Sequence, residues 1–114
     1  MNCITDEFLN TLPMFNHQKL KLKDDIIFLK DNDYLSHIEK IYLFGSCSTG
    51  RATVKSDIDI GIQFKHGIRR DIIADIRSEL NDSRKYGVET NVAVLPAKQC
   101  RLRTEILKGV ILYE

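Results

Sequence analysis

The sequence predicts an α/β (α+β) domain, a small mixed sheet of three or more strands flanked by helices. Three observations predict it. Apolar residues alternate at period two in one stretch and recur at helical spacing in others, so both element types are present. The elements follow in the order helix, strand, short helix, strand, helix, strand, helix, which calls for a sheet covered by helices. Finally, the link from Phe44 to Asp57 is too short for a full crossover helix, so the first two strands are expected to be antiparallel. At 114 residues the chain is one domain. It divides into an N-terminal helical part, 1–37, and a core, 38–114.

The elements are expected in this order. Residues 6–12 suit a short helix that Pro13 ends. Residues 16–31 read as a helix with Leu20, Ile27 and Phe28 toward the core, and Asp31-Asn32-Asp33 as a turn. Tyr34 to Glu39 suit another short helical turn. Ile41-Tyr42-Leu43-Phe44 is a compact apolar run closed by Gly45, the pattern of a buried strand. Ser46 to Gly50 form a tight turn into a short helix, and Arg51 to Ser56 a polar loop. Asp57 to Ile62 alternate strictly, as a strand with two different faces does. Ile68, Ile72, Ile73, Ile76 and Leu80 then mark one face of a helix over 68–83. After a break at Lys85-Tyr86-Gly87, residues 88–95 read as a third strand stopped by Pro96. Residues 97–108 form the last helix, with Cys100, Ile106 and Leu107 available to the core. Gly109 suits the left-handed position that follows a helix, and the apolar tail 110–113 packs down.

Composition narrows the function classes. The charged residues are 17 basic and 16 acidic, a net charge of +1, which argues against a broad electrostatic grip on duplex nucleic acid or anionic lipid. No run approaches the length of a membrane span. Met1 to Glu7 lack the basic region that precedes a secretory signal's apolar stretch. Cys3, Cys47 and Cys100 are odd in number and fit no zinc spacing, so unpaired thiols in a reducing cytoplasm are expected. His17, His37 and His66 are widely scattered and are expected to be surface or partly buried residues.

One constellation carries chemistry: Gly45-Ser46, ten residues, then Asp57-Ile58-Asp59. Residues two apart on a strand share a face, so both carboxylates point one way while Ile58, Ile60 and Ile62 point into a core. Paired like charges repel unless a cation lies between them, and magnesium binds through one or two carboxylates plus phosphate oxygens. A strand ending at Gly and turning through Ser into a helix suits a phosphate, because Gly admits close approach and Ser donates from hydroxyl and amide. Together these describe a nucleoside triphosphate site without the glycine patterns of a P-loop or a dinucleotide fold. Cys47 reads as a small packed residue, since phosphoryl transfer between bound partners needs no covalent nucleophile.

Leu43-Phe44-Gly45-Ser46, Gly50 and Ser56-Asp57-Ile58-Asp59-Ile60 resemble the signature of the minimal nucleotidyltransferases, within the polymerase-β-like nucleotidyltransferase superfamily. The likeness runs from about Ile38 to the Gly109–Glu114 tail. It implies that fold, with the site at one sheet edge. Gly45, Ser46 and Ser56 would hold the triphosphate of ATP, helped by Arg51 or Lys55, while Asp57 and Asp59 would bind two magnesium ions. Family members carry a third carboxylate on the later strand. Here the best register puts Asn91 in its place, with Glu89 on the same face as a substitute. The resemblance also implies an antitoxin that transfers AMP to a tyrosine of a toxin partner, a HEPN-domain ribonuclease. Two other readings stand beside it: a nucleotide-binding module that neutralises its partner by contact, and a small-molecule nucleotidyltransferase acting as a dimer, a homo-oligomer with its acceptor pocket between the subunits.

Overall fold

The structure, a computed structural model, describes residues 4–114; Cys3 and the first residues of the Met1–Glu7 stretch lie outside the described residues. Four strands form a single mixed sheet: β1 (Ile38–Phe44), β2 (Ile58–Phe64), β3 (Thr90–Val94) and β4 (Val110–Tyr113), in the order β3-β2-β1-β4. β1 pairs antiparallel with β2, as the short link requires, and antiparallel with β4, so the apolar tail is the fourth strand. β2 and β3 are parallel, and the chain between them supplies the helix that such a crossover needs.

The helices are α1 (Asp6–Asn10), α2 (Asn16–Asp31), α3 (Ser46–Thr49), α4 (Arg70–Asp82) and α5 (Arg101–Leu107). None is long and apolar enough to cross a membrane. The main core lies on the sheet face that carries Ile41, Leu43, Ile58, Ile60, Ile62 and Val92, with Leu22, Ile26 and Leu29 of α2 and Ile76 and Leu80 of α4. On the opposite face α5 seats Ile106 over Gly61, where an added Cβ would stand 2.5 Å from the isoleucine side chain. That close seat sets the height of α5 above the strand ends.

Several expectations are corrected. Leu20 and Ile27 are exposed, at 44% and 43%, because the buried face of α2 is partly polar: Gln18, Lys21 and Asp25 lie inward with Leu22, Ile26 and Leu29. Phe28 packs on the edge of the core. Tyr34 to His37 form one 3-10 turn, and Ile38 and Glu39 already belong to β1. The last helix starts only at Arg101, so Cys100 and also Leu107 are exposed, and Ile106 alone of the three expected residues is buried. Gly109 is not left-handed. It is small because a Cβ there would collide with the Leu43 carbonyl oxygen, where β4 joins β1.

Candidate active site

The antiparallel turn from β1 to β2 brings Gly45 and the start of β2 to the same end of the sheet, with Phe44 opposite Asp59. Parallel pairing with β3 then sets Asp59 level with Asn91. Gly45 has φ +74 and ψ −157, a conformation that needs glycine. A Cβ on it would stand 2.6 Å from Asp59 Oδ2. The strand end, the small polar turn and the second aspartate are therefore packed against one another.

Both aspartates are half-buried, and each is braced by the β3 segment. The backbone N–H of Glu89 donates to Asp57 Oδ1 at 3.0 Å. The side-chain amide of Asn91 donates to Asp59 Oδ1 at 3.4 Å and accepts from Asn81 at 3.3 Å. Burial pushes the Asp59 carboxyl above the ordinary carboxylate value; the Asn91 hydrogen bond pulls it back and the Asp57 charge pushes it up again. Two crowded like charges of this kind fit a divalent cation. The donors are oxygens, which suits a hard ion such as magnesium. Among the described residues no three His, Cys, Asp or Glu side chains converge, so an ion held here would complete its shell from phosphate oxygens and water.

Glu89 is turned away from this task. Its carboxylate takes a hydrogen bond from Arg84 at 2.7 Å. Asn91, in contrast, stands beside Asp59 in the register expected from the sequence. Cys47 is fully buried, and its Sγ donates to the Asp57 carbonyl at 3.6 Å. Burial, reinforced by Asp59, pushes its thiol up to about 11. It is a protonated packing residue at neutral pH.

On the other side of Gly45 lies a cleft of about 360 Å³ lined by Gly45, Ser46, Ser48, Thr49, Arg51, Glu105, Lys108 and Gly109. It gathers Gly45, Ser46 and Arg51 of the residues expected from the sequence to hold the nucleotide. Lys55 is exposed and does not line it. Ser56 also lies outside it: its hydroxyl accepts from Thr53 N at 2.8 Å and so shapes the loop that leads to Asp57. Lys108 and Glu105 were not identified from the sequence as site residues. Lys108 follows the last residue of α5, and the packing of α5 against β1 brings it into the cleft with Ser46.

A family model described as polymerase beta, nucleotidyltransferase, matches residues 26–114. No curated protein matches the chain. Among solved structures, a chain of a toxin–antitoxin crystal structure with AMP-PNP is similar in fold, with TM-score 0.60 and 23% identity over 87% of this chain and 73% of that one. A mutant of the toxin–antitoxin MntA-HpeT is similar too, with TM-score 0.59 and 22% identity over the same shares, 87% and 73%.

Proposed function

The chain belongs to the polymerase β nucleotidyltransferase family, and from that premise we propose that it transfers AMP from ATP to an acceptor hydroxyl, acting as an antitoxin on a tyrosine of a HEPN-domain toxin. The observation that carries this reading is the packing of Gly45 against Asp59, which joins a polar, cationic cleft to a carboxylate pair at one sheet end. Ser46, Arg51 and Lys108 hold the triphosphate along the cleft. Asp57 and Asp59 would hold magnesium, which would supply positive charge to offset that of the phosphates. The acceptor oxygen bonds to the α-phosphorus as the bond to the bridging oxygen breaks, pyrophosphate leaves, and the hydroxyl proton passes to water. The fold likeness to chains of toxin–antitoxin structures supports the choice of a protein acceptor.

Asn91 favours a second reading. An amide takes no proton from the acceptor, and the nearby Glu89 is bound to Arg84. A chain that binds nucleotide yet transfers it poorly would neutralise its partner by contact. Incubation with labelled ATP, magnesium and the protein encoded by the neighbouring gene separates the two. Transfer predicts label on the partner that disappears with Asp57→Ala. Contact predicts rescue of growth without label, unaffected by Asp57→Ala.

A further inference from the structure

Helix α2 carries a stripe of buried polar side chains that a core helix has no packing reason to hold. Gln18 and Lys21 are 0% exposed and Asp25 3%. Gln18 Nε2 donates to the carbonyls of Thr53 at 3.0 Å and Ser56 at 2.9 Å, fixing the loop that ends at Asp57. One turn on, Lys21 Nζ donates to Asp25 Oδ1 at 2.6 Å, Thr90 Oγ1 at 2.9 Å and the Leu80 carbonyl at 3.1 Å. All three ammonium protons are thus used. Thr90 closes the ring by donating its hydroxyl to Asp25 Oδ2. Among the described residues no buried side-chain nitrogen or oxygen is left without a partner.

The location of Thr90 gives the network its meaning. It lies between Glu89, whose N–H grips Asp57, and Asn91, whose amide grips Asp59. Its own side chain points to the opposite sheet face, into the ion pair. A buried pair costs desolvation and is weak evidence for stability as such, but a fully satisfied network fixes one geometry. We propose that the buried stripe Gln18–Lys21–Asp25 of α2 is a positioning device for the carboxylate pair. It holds the loop before Asp57 at one end and the Glu89–Asn91 segment at the other. Gln18, Lys21, Asp25 and Thr90 are positioning residues, none of which touches the nucleotide. The functional meaning rests on the reading above, whereas the positioning itself does not.

Amide hydrogen exchange and magnesium-ATP titration test it together. Thr90→Val keeps shape and removes the hydroxyl, and Thr90→Ser keeps the hydroxyl. Thr90→Val removes both buried hydrogen bonds of the hydroxyl, from Lys21 and to Asp25, and is expected to speed exchange at the Glu89 amide by about tenfold or more, while the Val92 amide stays within about twofold. Thr90→Ser is expected to restore protection. Gln18→Met acts on the other end, and is expected to speed exchange at Ser56, whose N–H bonds Thr53, with Glu89 unchanged. In both variants the affinity for magnesium-ATP should fall more than that for ATP without metal. Equal loss of protection at Glu89 and Val92 would show general destabilisation and overturn the proposal, as would unchanged exchange at Glu89 and Ser56. If Thr90→Val does not fold, the Gln18→Met pattern decides. Absence of magnesium-ATP binding by the unaltered chain would sink the proposed function, and the exchange results would still judge the positioning.

Discussion

Asn91 is the residue on which the chemistry turns. It faces Asp59 across the parallel register, and on the proposed reading its amide stands where a third carboxylate is expected. Asn91→Asp would place three negative charges at the strand end. Without metal the variant is expected to lose about 1 kcal/mol, a fall of roughly 4 °C in a domain of this size. With magnesium the order reverses: the cation-induced rise in melting temperature should exceed that of the unaltered chain, and transfer should quicken. Thermal melts with and without magnesium check the first statement, and label transfer the second. Equal magnesium shifts in the two proteins would remove Asn91 from the metal's surroundings. The family resemblance put Asn91 at the third-carboxylate position, and strand alternation put Glu89 on the same face. That Glu89 turns to Arg84 could not be read from the sequence, since it depends on a loop cation five residues earlier.

At the scale of elements, the parts that follow a simple period were legible and those that depend on tertiary contact were not. The alternation of β2 and the helical period of α4 located both, and the short Phe44–Asp57 link gave the antiparallel pairing. α2 misled because its inward face mixes Leu22, Ile26 and Leu29 with Gln18, Lys21 and Asp25, so apolar spacing alone pointed to Leu20 and Ile27. The last helix was expected but begins four residues later, at Arg101, and the tail that was expected to pack down is a strand; close approach at Gly61 and Gly109 sets where both lie. Gly61 makes this testable. Its backbone is not strained, and the three atoms nearest an added Cβ all belong to Ile106, so the cost of Gly61→Ala comes chiefly from that side chain. It should amount to about 1–3 kcal/mol. Because α5 carries Lys108 to the cleft, nucleotide affinity should fall as well. In a double-mutant cycle with Ile106→Ala the two losses should be less than additive by about 1 kcal/mol or more. Additive losses would show that the two do not meet.

For the molecule as a whole, a net charge of +1 conceals a division of labour. Some acidic charge is cancelled inside the fold, Asp25 by Lys21, while Asp57 and Asp59 are left crowded at the sheet end. That end is assembled from three strands that are distant in sequence, and β4 completes the sheet on the far side. β4 contributes Leu112 at 5% and Tyr113 at 8% exposure to the core and covers the edge of β1. Removing residues 110–114 should therefore cost about 3–6 kcal/mol in lost burial, a large share of the stability of a small domain. It would also bare β1 as an edge strand, a template for self-association. The truncated chain is expected to melt far below the intact one and to elute as aggregate in size-exclusion chromatography. Ile111→Lys is the matching control, since Ile111 lies on the same strand but is 41% exposed; it should change stability by no more than about 0.5 kcal/mol. If the truncated chain melts with the intact one, β4 is an ornament on a three-stranded sheet. If Ile111→Lys is as damaging as the truncation, the outer side of β4 is covered by another chain in solution.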